Sequence, residues 1–191
     1  MYDNKEFADA ESAFRTLGDY NDAAQKAVQA AYLQVISEIP DAEDYSDMKS
    51  KLANVLKEKG LSDEALTLNP YYVYCEAQEA LQAGNEGIAY NLFKQCETSE
   101  TLDCFTQAKK LEKKLEPQYA ELKAMISDNS IKYAEVEKAA NALTGYKNAD
   151  YYKFYIEQCE KLAQSNTLQS IAFAYKDSDT CLLYTSPSPR D

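Results

Sequence analysis

The residue types that most often do chemistry are sparse in this chain, and one is missing altogether. No histidine occurs. That removes Ser-His-Asp and Cys-His nucleophile activation, HExxH zinc sites and imidazole acid–base work. Neither a GxxxxGKS/T loop nor a GxGxxG turn is present, so no phosphate-cradling loop is expected. Cys75, Cys96, Cys104 and Cys159 are the thiols that precede the C-terminal segment. None forms a CxxC pair, whereas structural zinc sites normally show paired spacing. Irregular spacing is the pattern of buried core thiols rather than of a disulfide framework. All four are therefore expected as free, buried cysteines.

Carboxylates are plentiful, and one group stands close together: Asp41, Glu43, Asp44 and Asp47. A weak calcium site is one reading, but no EF-hand glycine or terminal bidentate glutamate accompanies it. The simpler reading is a set of acidic residues favouring a helix N-terminus through the helix dipole. No carboxylate pair is marked out for acid–base work, so no enzyme activity, metal or cofactor is expected.

Tyrosine is the one enrichment, with sixteen in the chain. Tyr71, Tyr72 and Tyr74 form one cluster; Tyr151, Tyr152, Phe154 and Tyr155 form another. Consecutive tyrosines on a helix cannot all face one core. A candidate peptide-binding groove follows, in which Tyr71, Tyr72 and Tyr74 stack on a ligand while Glu76 and Glu79 hold its basic side chains. The competing reading is packing between neighbouring hairpins, with the hydroxyls reaching solvent.

The net charge of −12 argues against nucleic acid, whose phosphates need clustered Lys and Arg. It argues equally against adsorption to anionic membranes. A basic protein or peptide partner is compatible with it. No stretch approaches the roughly 18 apolar residues of a membrane helix. The polar start, Met1-Tyr2-Asp3-Asn4-Lys5-Glu6, lacks the apolar core of a signal peptide. A cytoplasmic location is the expectation.

The elements that must position these residues read as helices. Apolar residues recur at spacings of three and four: Phe7, Ala10, Phe14, Leu17; Ala24, Ala27, Val28, Ala31, Tyr32, Val35; Leu102, Phe105, Leu111, Leu115. Gly18, Gly60, Gly84 and Gly145 each follow such a stripe, where glycine can adopt the left-handed conformation that turns the chain back. Asp19, Asn21 and Asp22, or Ser62 and Asp63, can then cap the next helix. Gly87 is expected to weaken its helix start. The spacing predicts helical hairpins over 5–38, 45–68, 70–96, 99–127 and 131–163. The motif LGDYNDA (Leu17–Ala23) returns as LTGYKNA (Leu143–Ala149), and FADAESAF (Phe7–Phe14) parallels YAEVEKAA (Tyr133–Ala140). Units of this size with shared turn chemistry point to a solenoid.

These residues resemble a tetratricopeptide (TPR) repeat protein, with Sel1-like repeats as a close relative. The Gly18-Asp19-Tyr20 turn followed by Ala23 carries the likeness, as does Asn69–Cys96, with its Pro70, Gly84-Asn85 turn and Ala89-x3-Phe93. The tracts GDYND and AYKDSD are similar to ones common in bacterial helical-repeat proteins. The chain departs from the pattern in having no tryptophan. The resemblance implies an all-α, TPR-like α-solenoid of antiparallel hairpins in residues 1–165. It also implies a non-catalytic role in protein–protein interaction or scaffolding, with a structural spacer or regulatory arm as the alternative.

The last stretch, Cys181–Asp191 (CLLYTSPSPRD), resembles the translation of a transposase sequencing adapter. On that resemblance, residues 181–191 are expected to be an artefactual, disordered tail. Residues 166–180 then read as the start of a further repeat, fraying from about Asn166, in a chain cut from a longer protein.

Overall fold

The computed structural model describes residues 4–128 and 132–164; the expectations for 166–180 and 181–191 lie outside these. Among the described residues the chain is helical throughout, without strands. It divides into two compact units, Met1–Glu112 and Lys113–Asp191.

The first unit begins with a hairpin of α1 (Asn4–Leu17) and α2 (Ala23–Glu38). A 3-10 turn, Ile39–Asp41, leads to α3 (Tyr45–Glu58), the one-turn α4 (Asp63–Leu66), α5 (Pro70–Gln82) and α6 (Glu86–Gln95). Helices α1 and α2, α2 and α3, α3 and α5, and α5 and α6 pack against each other. Small alanines, Ala23, Ala27, Ala30 and Ala31, are the buried face of α2, which lets its neighbours approach closely. Beyond α2 the core grows larger, through Met48, Leu52 and Leu56 to Val73, Cys75 and Phe93. Helix α7 (Cys104–Ser127) follows. The second unit contains α8 (Tyr133–Ala142) and α9 (Ala149–Gln164), which pack as a hairpin around Val136, Ala140, Leu143, Tyr146 and Ile156.

The hairpin turns are made as glycine permits. Gly18, Gly60, Gly84 and Gly145 all have positive φ, from +56° to +90°. Caps were legible in part. The Ser62 hydroxyl accepts from the Ala65 amide at 3.3 Å. Asp22 stands at the start of α2 but makes no side-chain cap; it pairs instead with Lys26 at 3.1 Å. Gly87, expected to weaken its helix, is buried near the start of α6.

Four expectations need correction. The hairpin placed over 99–127 is a single helix, α7, with Pro117 inside it. No glycine lies between Gly87 and Gly145, so nothing there favours the left-handed turn. Proline costs an internal helical bond, yet α7 runs through it as one helix. The buried stripe of α7 is continuous: Cys104, Ala108, Leu111, Leu115, Tyr119, Leu122. Phe105, expected on that stripe, is 56% exposed. The hairpin over 45–68 keeps its first helix, but its return arm is the four-residue α4, cut short by Asn69 and Pro70 opening α5.

The fourth correction concerns the thiols. Cys96 and Cys104 are joined in a disulfide, with Cα atoms 5.9 Å apart; Cys75 and Cys159 are the buried free cysteines. The short connection from α6 to α7 brings the two ends together without glycine, and the bond clamps that turn. Eight residues of separation carry no disulfide signature of their own, which is why spacing did not reveal the pair.

Candidate functional site

Asn69 opens the tyrosine-rich helix. Its side-chain oxygen accepts from the amides of Tyr71 and Tyr72 at 3.1 and 3.2 Å, and Pro70 occupies the first helical position, where its missing N–H costs nothing. This start sets the rotation of α5 and distributes the three tyrosines. Tyr74 turns inward and is 6% exposed. Its ring meets Tyr45 and Phe93 edge-on at 6.2 and 5.8 Å. Its hydroxyl donates to the Asp103 carboxylate at 3.0 Å and accepts from Gln78 at 2.7 Å. Burial, with Asp103 nearby, raises the phenol well above its usual range.

Tyr71 is half-buried. It packs edge-on against Tyr32 of α2 at 6.3 Å, and its hydroxyl lies 2.8 Å from that of Thr101. Glu79 forms an ion pair with Lys49 of α3, both side chains about three-quarters covered. Tyr72 and Glu76 are half-buried. Of the five candidate residues, therefore, Tyr74 sits in the core, Tyr71 bridges hairpins and Glu79 already holds a cation. Tyr72 and Glu76 stand with Glu79 close enough to Lys49 to act on its charge, while Tyr74 lies apart from them in the core. Two of the acidic group, Asp44 and Asp47, are likewise engaged locally. Asp44 caps α3 by accepting from the Asp47 amide at 3.0 Å, and Asp47 pairs with Lys51 at 2.8 Å.

An open concavity lies elsewhere, along the first hairpin. A cavity of about 810 Å³ is bounded by the end of α1, the first half of α2 and the end of α3. Ala24, Ala27 and Val28 give it an apolar floor; Arg15, Asp19, Asp22, Lys26, Glu58 and Lys59 give it a charged rim. Arg15 fixes one wall through two parallel bonds to Glu58, at 2.9 and 3.1 Å, while also donating to Glu11 at 2.7 Å. Those bonds raise the guanidinium and lower the Glu58 carboxyl from their ordinary values. Lys59 reaches back to Gln29 at 3.1 Å and lies 4.7 Å from the Tyr32 ring centre.

No known family, curated protein or solved structure matches this chain. The site therefore rests on its own geometry. Among the described residues no helix is long and apolar enough to cross a membrane. Sequence reasoning missed the groove because Arg15 and Glu58 stand 43 positions apart, and an ordinary surface arginine and glutamate carry no pairing signal. The one available hint was the turn Gly18–Asp22, already marked by its repeated motif.

Proposed function

We propose that the chain is a non-catalytic, TPR-like helical-repeat module that binds a protein or peptide along the groove of its first hairpin. The observation that carries this reading is the groove itself. It is an open cavity of about 810 Å³ with an apolar floor and an ionic rim, built from three successive helices. Open channels of this kind admit an extended or helical segment with apolar anchors. A net charge of −12 favours a basic segment, and Asp19 on the rim is available to receive one of its cations.

A photo-crosslinking residue at Gln25, on the groove, tests this in the full chain, with the same label at exposed Glu121 as control. The expected result is a discrete crosslink to a basic protein from Gln25 alone, suppressed when Asp19 and Asp22 are both changed to lysine. Equal labelling from Gln25 and Glu121, or indifference to the charge reversal, overturns the reading.

A further inference from the structure

Two hairpins of this chain carry one turn in a single unbroken register, and the fold covers one copy while leaving the other open. Phe7–Phe14 aligns with Tyr133–Ala140. Without a gap, Leu17-Gly18-Asp19-Tyr20-Asn21-Asp22-Ala23 aligns with Leu143-Thr144-Gly145-Tyr146-Lys147-Asn148-Ala149. The backbone repeats in part, the positive-φ glycines Gly18 and Gly145 standing one position apart in this register. Asn21 and Lys147, at matching positions, are the non-glycine residues with positive φ among those described, at +53° and +49°. Ala23 and Ala149, opening the return helices, are both buried.

In the second copy a third helix lies over the turn. Leu143 is 1% exposed and Tyr146 0%, and Leu115, Tyr119 and Leu122 of α7 are buried as well. Tyr119 meets the Tyr146 ring edge-on at 5.7 Å. Glu116 accepts from the Tyr146 hydroxyl at 2.7 Å and pairs with Lys147. In the first copy the same two positions stand open: Leu17 is 55% exposed and Tyr20 71%.

We propose that the Leu17–Tyr20 face is a docking site for an amphipathic helix of another polypeptide with the α7 pattern Leu-Glu-x-x-Tyr-x-x-Leu. The occupied copy shows what the turn accepts. Its tyrosine ring takes an aromatic edge, and the tyrosine hydroxyl finds a carboxylate one turn earlier on the incoming helix. A buried tyrosine needs that acceptor, because leaving its O–H unpaired is costly. Asn21 replaces Lys147, so the incoming glutamate is held by Tyr20 without an ion pair from that position. Docking is accordingly weaker than the internal contact, as suits a reversible partner. A second copy of this chain is not the occupant, because its own Glu116 and Tyr119 are already engaged with Tyr146. The proposal rests on the reading of a protein-binding module and adds the chemistry of the partner.

Fluorescence anisotropy of the full chain with a labelled synthetic peptide tests it. The peptide carries the α7 sequence of residues 108–125, with Pro117→Ala to keep it helical in isolation. Saturable one-to-one binding is expected, weakened at least about tenfold by Leu17→Glu with Tyr20→Ala. Glu116→Gln in the peptide is expected to weaken it several-fold. Both chain substitutions fall on exposed side chains, so an unchanged melting temperature certifies the fold, and Tyr20→Ala alone gives a milder second variant. No binding up to about 1 mM overturns the proposal. Binding indifferent to Leu17 and Tyr20 also overturns it, because the peptide is then exchanging onto Leu143 and Tyr146. A dimer of the chain alone that Leu17→Glu dissociates overturns the choice of a foreign helix. None of these failures touches the groove reading, which is measured at Gln25.

Discussion

The Tyr146 hydroxyl donates to the Glu116 carboxylate at 2.7 Å from within a completely enclosed ring, and Lys147 reaches the same oxygen. One carboxylate thus ties the turn between α8 and α9 to the helix that covers it. The hydrogen bonds from Lys147 and Tyr146 hold the Glu116 carboxyl below its ordinary range. A depressed carboxylate contributes stability that is present above its unfolded value and lost as pH falls through its folded one. Tyr146→Phe is expected to cost about 1 kcal/mol near neutral pH, a difference that shrinks in acid as Glu116 protonates. Tyr20→Phe is expected to change nothing. Urea melts of both variants at two pH values check this.

Tyr74 and Cys75 set an alkaline limit. Burial is the leading cause for both, raising the tyrosine above its usual range and pushing the thiol up to about 12. An acid held neutral in the fold contributes its full stability below the unfolded value, and that contribution is lost as pH rises through the folded one. For Cys75 the window runs from 9.0 to about 12. Melting temperature is expected to decline between about pH 9 and about pH 12, with a shallower decline in Cys75→Ala.

Removing the ring itself is more severe. Tyr74→Ala strips the partner from Tyr45 and Phe93 and is expected to cost about 3–5 kcal/mol. Tyr74→Phe keeps the packing and loses only the bonds to Asp103 and Gln78, about 1 kcal/mol. A small loss in both variants, measured by chemical denaturation, would contradict the placement of Tyr74 in the core.

The Cys96–Cys104 bond closes a short loop, for which the chain-entropy argument gives about 2–3 kcal/mol. Replacing both with serine is expected to lower stability by that amount, and reductant is expected to do the same to the native chain. Peptide mapping without reduction should find the segment containing both residues lighter by two hydrogens than its reduced form. Full mass there would show the pair to be open.

Gly84, at φ +78°, has open space where a methyl group would stand, with no neighbouring atom within 4 Å, so substitution there isolates backbone strain. Gly84→Ala is expected to cost about 1–2 kcal/mol, and Gly84→Asn less, since asparagine tolerates the left-handed region. Denaturation midpoints of the two variants rank them directly.

The helices, the glycine turns and the repeated Leu-x-x-Tyr turn motif were all legible in the order of residues, because each is a local matter. Spacing of three and four makes a helical face, and only glycine turns a helix back cheaply. Cys104 at the start of α7 shows where that legibility ends. Its pairing with Cys96 depends on how two helix ends meet in space, and spacing alone placed both cysteines in the core as free thiols. Tyr74 is similar, for a tyrosine cluster reads the same whether it lines a groove or fills a core. The sharpest case is Tyr20 and Tyr146, set in matching motifs yet 71% and 0% exposed. The sequence by itself determined that both turns would form. Only the tertiary structure decided that α7 covers one and leaves the other open, because burial depends on which distant helix arrives, and a local motif carries no record of its neighbour.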